Sequence, residues 1–339
     1  MKGKKIILVT GAGGYLGTTL IPLLLQEGYY VRAVDRFFFG KDLLQNHACL
    51  TKITQDVRSL DNSIFKKVDV MIDLASISND PLGELLPECT LKINYEARIK
   101  NALLAKNNGV KRYILPSSCS VYGFSDNLID ENSVPNPLTI YAESNLKAEK
   151  GVLNFADHSF CVTVLRQATL YGQSPRMRFD LVTNTMIFTA YKDNKIIIDG
   201  DGSQWRPLLC VKDAAKAILH MICENTSKIN SQIFNIGARN YQIKELAEII
   251  RYIIPKKVSI ESNQKVDFRS YYISFEKLKS LGFIAGVDIN LEIKTIWQNL
   301  QIETGVIDDF DKTITLKWYK NIIKWNNIIN EVAINNCIF

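Results

Sequence analysis

The segment Lys5-Ile6-Ile7-Leu8-Val9-Thr10-Gly11-Ala12-Gly13-Gly14-Tyr15-Leu16-Gly17 decides the fold. A short apolar run ends in a glycine cluster, and an amphipathic stretch, Tyr15–Gln26, follows at once. That order reads as strand, tight turn and helix, the opening of a dinucleotide-binding βαβ unit. Gly11 permits the turn, and Gly14 removes a side chain where backbone must approach a pyrophosphate. Gly17 lets helix and strand pack closely, and the helix N-terminus faces the phosphate charge. Tyr15 and Leu16 share the turn and join the expected cofactor contacts. The spacing is G-x-x-G-x-x-G rather than G-x-G-x-x-G, so the glycines alone establish only a turn.

Asp35 adds chemistry to that turn. It closes the next strand about 20 residues on, where a carboxylate accepts hydrogen bonds from ribose hydroxyls. An acid there repels a 2′-phosphate, so NAD is expected over NADP; the adjacent Arg36 is the one contrary feature. Asp56 and Val57 are placed to meet the adenine, although Asp56 reads equally as an N-cap for Ser59–Ile64.

Working outward, short apolar runs alternate with helical patterns to about residue 170. Strands are expected at Lys5–Val9, Tyr30–Val34, Asp69–Leu74, Tyr113–Pro116 and Cys161–Arg166, with helices at Tyr15–Gln26, Glu96–Asn107 and Tyr141–Phe155. Strands spaced by such helices give an α/β, Rossmann-like, doubly wound parallel sheet over residues 1–170. Beyond it the alternation loosens, with helices at Phe179–Tyr191, Lys212–Cys223 and Ile243–Tyr252 and strands near Lys195–Ile198 and Gln232–Asn235. Residues 171–310 read mainly as a smaller substrate-binding lobe with some return to the first domain, and 311–339 as a helical extension. In that extension Ile314, Trp318, Ile322, Trp325, Ile329 and Val332 form a helical stripe suited to packing on the body or across a dimer.

Composition narrows the functional classes. The 339 residues are 47% hydrophobic and 22% charged, ordinary for a globular chain of one large or two smaller domains. A net charge of +6 without a Lys/Arg-rich run suits a phosphorylated small molecule and gives no nucleic-acid footprint. No run approaches the about 18 apolar residues that a membrane span needs. Seven scattered cysteines without C-x-x-C point to a reducing cytoplasm rather than to disulfides or zinc. His47, His158 and His220 share no metal-like spacing, so no metal is expected.

Two further motifs carry the catalytic reading. Pro116-Ser117-Ser118-Cys119-Ser120-Val121-Tyr122-Gly123 ends one strand, and Tyr141-Ala142-Glu143-Ser144-Asn145 opens a later helix. With Asp73-Leu74-Ala75-Ser76, Leu165-Arg166-Gln167-Ala168-Thr169-Leu170-Tyr171-Gly172 and Arg206-Pro207-Leu208, in this order and spacing, the chain resembles the extended short-chain dehydrogenase/reductases. The likeness is to their NAD-dependent nucleotide-sugar epimerases and dehydratases.

The resemblance implies that Ser118 polarises the reacting sugar oxygen and that Tyr141 shuttles its proton. Leu74, Ala75, Ser76, Asn94 and Gln167 would join the cofactor contacts, Asn94 being equally suited to satisfying backbone groups at a helix start. Thr169, Arg176, Arg178, Asn184, Arg206 and Arg269 would meet the nucleotide-diphosphate sugar, Arg206 and Arg269 through paired donors to phosphate. It also implies a homodimer through the helices that include Glu96–Asn107 and Tyr141–Phe155.

Cys119 and Ser120 occupy the slots where the family's 4,6-dehydratases carry an acid pair. This favours 4-epimerisation through a transient 4-keto sugar, with net 4-dehydrogenation or 4-ketoreduction as the alternative. Cys119 itself reads as a buried small hydrophobe. The pattern breaks at residue 145, where Asn stands in place of the Y-x-x-x-K lysine. Lys147 and Lys150 lie about 240° and 180° round the helix from Tyr141 and cannot replace it simply. Either another cation tunes Tyr141 or the chain is an impaired cofactor- and nucleotide-sugar-binding protein.

Overall fold

Seven short aliphatic runs build one sheet in the computed structural model, which describes residues 5–263, 270–303 and 310–332. They are β1 (Ile6–Thr10), β2 (Tyr30–Asp35), β3 (Leu50–Thr54), β4 (Val70–Asp73), β5 (Arg112–Ser118), β6 (Cys161–Gln167) and β7 (Gln232–Ile236). All pair in parallel, in the order β3-β2-β1-β4-β5-β6-β7. The order reverses at β1, and ligands of such sheets bind outside the carboxyl ends of the strands at that switch. Thr10 at the end of β1 is in register with Val34 on one side and Asp73 on the other.

The sheet is buried on both faces, as a parallel sheet requires. Ile7, Val9, Ile72 and Ile114 enter one core while Leu8, Val34, Met71 and Tyr113 enter the other, following the two-residue period of a strand. Flanking helices include α1 (Gly17–Gln26), α2 (Asp80–Leu85), α3 (Arg98–Asn107) and α4 (Ile140–Leu153). Thr139 caps α4 by accepting the Ala142 amide at 3.1 Å. A π-helical turn, Lys92–Ala97, runs directly into α3, so helical backbone precedes the expected start at Glu96.

One expectation needs correcting, and one strand had not been delimited. Gln232–Asn235 was expected beside the short strands of the smaller lobe, yet Gln232–Ile236 pairs with β6 and extends the large sheet. The buried side chains of Phe234, Asn235 and Ile236 hold it there. Leu50–Thr54 forms the β3 edge strand, which the alternation left without bounds because its residues are only partly buried.

Beyond this sheet the strands Thr169–Tyr171, Trp205–Cys210 and Arg239–Gln242 pair with one another, and Lys195–Asp199 pairs with Ser259–Asn263. The C-terminal helix α5 (Thr315–Val332) packs back on the body of the chain. Trp318 is buried and donates its indole N–H to the Phe38 carbonyl at 2.8 Å. The lower half of the stripe, Trp325, Ile329 and Val332, is exposed. No helix among the described residues is long and apolar enough to cross a membrane.

Candidate active site

One cleft of about 910 Å³ runs across the carboxyl ends of the strands, from the glycine turn through Ser118 and Tyr141 to Arg206. The β1–α1 turn forms one end. Gly11 has φ +64°, and a Cβ on it would stand 2.6 Å from the Ala75 amide nitrogen. A Cβ on Gly17 would stand 2.5 Å from the Ala12 carbonyl oxygen and 2.6 Å from that of Gly11. Both obstacles are backbone, so Gly17→Ala forces helix and turn apart. Unfolding free energy is expected to fall by about 1–3 kcal/mol, with dinucleotide affinity falling alongside; denaturant unfolding and calorimetry read the two.

Asp35 lies beside the turn and is fixed by two backbone amides, Gly13 at 3.0 Å and Phe37 at 2.6 Å. Burial raises its carboxyl above the usual range, and those amides oppose the rise. Arg36 stacks over Phe38 at 4.5 Å and reaches Asp56 at 3.4 Å. Asp56 is gripped chiefly by Arg58, at 2.6 and 2.9 Å, which holds its carboxyl below the usual range. It caps Val57–Ser59, while Asp61 caps the next turn, so the expected single helix Ser59–Ile64 is two short 3₁₀ turns. Val57, Leu74, Ala75, Ser76 and Leu16 all line the cleft.

Several residues expected in the cleft are placed elsewhere. Asn94 is fully buried and braces the chain after β4: it accepts the Ile77 amide at 2.8 Å and donates to the Ile77 carbonyl and Ser144 Oγ. Its backbone-satisfying role is the one realised, within the π turn. Asn184 is likewise buried, with its amide engaged by Gly172, Tyr15 and Arg178. It fastens the segment after β6 to Tyr15 of the glycine turn and does not line the cleft. Arg178 does reach the cleft but is neutralised by Asp180, at 2.9 and 3.0 Å.

Arg176 lines the cleft at the cofactor end, beside the glycine turn. Its amide meets Thr18 Oγ1, and its guanidinium stacks on Phe39 at 3.8 Å and donates to Thr315 Oγ1 at 2.9 Å. Burial, and then Arg178 alongside, push its pKa down. Arg206 stands at the opposite end, half-stacked on Tyr271 at 5.7 Å, with Thr169 and Gln167 between. Arg269 lies outside the described residues.

Ser118 ends β5, and Tyr141 stands in the first turn of α4. Both side chains line the cleft. Burial pushes the Tyr141 phenol above its usual range and Asp80 adds to the rise, while Ser118, Arg98 and Arg178 pull it down. Cys119 turns away from the cleft, with its thiol donating to the Arg166 carbonyl at 3.4 Å and pushed far up by burial. A buried ion pair, Arg166–Glu149, stands behind the site and also holds Ser117 and Tyr122.

Sequence reasoning missed three parts of this wall: Arg98, Asp80 and the α5 cover formed by Thr315, Leu316, Tyr319 and Ile322. Only α5 had a signal, its apolar stripe.

A bound dinucleotide fits the donors that remain. Ser120 Oγ, Gln167 Nε2, Arg98 Nε and Arg176 Nε are buried without a hydrogen-bond partner among the described residues, and all four residues line the cleft. An unpaired buried donor costs about 1–3 kcal/mol, which a polar ligand carrying phosphate, ribose and amide groups relieves. Among the described residues no group of three His, Cys, Asp or Glu side chains is arranged to hold a metal.

Comparison with known proteins agrees with this architecture. The chain is 26% identical over 336 residues to the UDP-N-acetyl-alpha-D-glucosaminuronate decarboxylase of Bacillus cytotoxicus, covering 94% of this chain and 99% of that one. It is 27% identical to a putative UDP-glucose 4-epimerase of Methanocaldococcus jannaschii, over 86% of this chain and 97% of the relative. The solved structure of MoeE5 in complex with UDP-glucuronic acid and NAD superposes with a TM-score of 0.78 at 28% identity, over 87% and 99% of the two chains. The model of the NAD dependent epimerase/dehydratase family matches residues 7–237, and the chain belongs to that family.

Proposed function

We propose that this protein is an NAD-dependent 4-epimerase of a UDP-sugar, working through a transient 4-keto sugar. The observation that carries the proposal is that Ser118 and Tyr141 line one cleft together with the glycine turn and Arg206. Bound NAD supplies the hydride acceptor and donor at C4. Tyr141 takes the C4 hydroxyl proton and Ser118 donates to the same oxygen, holding it in line. Once the keto sugar has turned its other face, the same phenol returns the proton. Gly11, Gly14, Asp35 and Gln167 hold the cofactor in this reading, and Arg206, with Arg269 and Thr169, holds the diphosphate sugar.

Epimerisation is favoured over water elimination because no carboxylate stands at residues 119 and 120. Cys119 is 1% exposed and outside the cleft. A homodimer paired through α3 and α4 belongs to the same reading; Leu103 on α3 is exposed, and light scattering tests it. The function is tested by incubating the protein with UDP-glucose, UDP-N-acetylglucosamine and UDP-glucuronate and separating the products. A C4 epimer without accumulating NADH supports the proposal. Stoichiometric NADH shows net redox chemistry, and calorimetric binding without turnover shows a binding protein; either overturns it.

A further inference from the structure

We infer that Arg98 supplies the cation that the missing helix lysine would have provided, with Asn145 as its positioning partner. Arg98 is the first residue of α3 and is 2% exposed. Its Nη1 donates to Asn145 Oδ1 at 2.7 Å, and Asn145 Nδ2 donates back to the Tyr141 carbonyl at 2.9 Å. The chain Arg98–Asn145–Tyr141 therefore ties the guanidinium to the turn of α4 that carries the phenol. A lysine at 145 would carry its own charge to this spot; an asparagine instead presents an acceptor to a charge arriving from the neighbouring helix. The π turn immediately before Arg98 is a further sign, since such turns recur at functional sites.

Other charges nearby do not fill the role. Lys147 and Lys150 are exposed, and Lys147 pairs with Glu143. Arg178 also faces Tyr141, but Asp180 neutralises it. Asp80 faces Tyr141 from α2 and acts in the opposite direction. Arg98 makes no ion pair among the described residues. Its charge also acts on buried Asp73, whose carboxyl burial raises and Arg98, Thr10 and Tyr113 draw down. Its Nε remains unpaired in the cleft wall, where a nicotinamide-ribose hydroxyl would accept it. Arg98 thus favours the tyrosinate form and offers a donor to the cofactor.

This inference deepens the proposed function, so its test includes readouts that need no substrate. The Arg98→Met, Arg98→Lys, Asn145→Lys and Arg98→Met/Asn145→Lys variants are compared by tyrosinate ultraviolet titration, each against its own Tyr141→Phe counterpart, and by NAD calorimetry. Arg98→Met is expected to move the Tyr141 titration up by about 1–3 pH units, with the alkaline rise of turnover moving equally, and to weaken NAD binding. Arg98→Lys is expected to keep most of the original titration, which separates charge from packing. Asn145→Lys alone crowds two cations and brings no gain, whereas in the Arg98→Met background it restores the lower titration. If Arg98→Met leaves the titration in place, or Asn145→Lys alone lowers it and raises turnover, Arg98 is not the cation. The titration and NAD affinity report this even if no UDP-sugar is turned over, which would sink only the proposed reaction.

Discussion

Replacing Tyr141 with phenylalanine is expected to lower turnover by about 10²–10⁴-fold while leaving the fold and NAD binding in place. In the proposed reaction this hydroxyl moves the sugar proton, and it shares the cleft with Ser118. Phenylalanine keeps the ring volume, so α4 has no reason to shift; the Asn145 bond to residue 141 is made to its backbone carbonyl. The loss therefore belongs in kcat, with KM nearly constant. A comparable rise in KM would make Tyr141 a substrate-binding residue and remove its proton-transfer role. The pH dependence has a definite sign: a base must be ionised, so wild-type turnover rises with pH through the Tyr141 titration. Burial sets that titration high, and Ser118, Arg98 and Arg178 bring it down.

Glu149→Ala is expected to destabilise the protein by about 3–5 kcal/mol. Glu149 is 1% exposed and binds Arg166 through Nε and Nη2, the latter at 2.7 Å. Removing the carboxylate leaves a guanidinium buried with Tyr122 as its only hydrogen-bonding side chain among the described residues, at 2.8 Å. Ser117 loses its acceptor in the same step. The surface pair Glu143–Lys147 on the same helix provides the contrast. Its removal costs far less, because water screens exposed charges. Denaturant unfolding of Glu149→Ala and Glu143→Ala measures both, and equal losses would contradict the buried network.

What the sequence discloses follows the physics of repetition. Strands β1, β2, β4, β5 and β6 were legible because each is a run of apolar residues bounded by turn signals, and Gly11–Gly17 because glycine is required where backbones meet. Ser118 and Tyr141 were legible through motif order. Arg98 was not, since one arginine in an amphipathic helix looks like any solvated side chain; only the packing of α3 on α4 brings it to Asn145. Asn94, Asn184 and Arg178 read as ligand contacts because amides and guanidinium groups suit ligands. In the structure their polar atoms also engage Ile77, Gly172 and Asp180, and of the three only Arg178 lines the cleft. The α5 stripe announced a buried face, but nothing in it announced that this face would cover the cofactor end of the cleft.

The most direct test of the account uses a UDP-sugar deuterated at C4, incubated with the NAD-loaded protein, with the products read by nuclear magnetic resonance. Oxidation and reduction at one carbon predict the C4 epimer with deuterium retained at C4 and no net NADH. Deuterium lost to solvent, or product formed with C4 untouched, would contradict it.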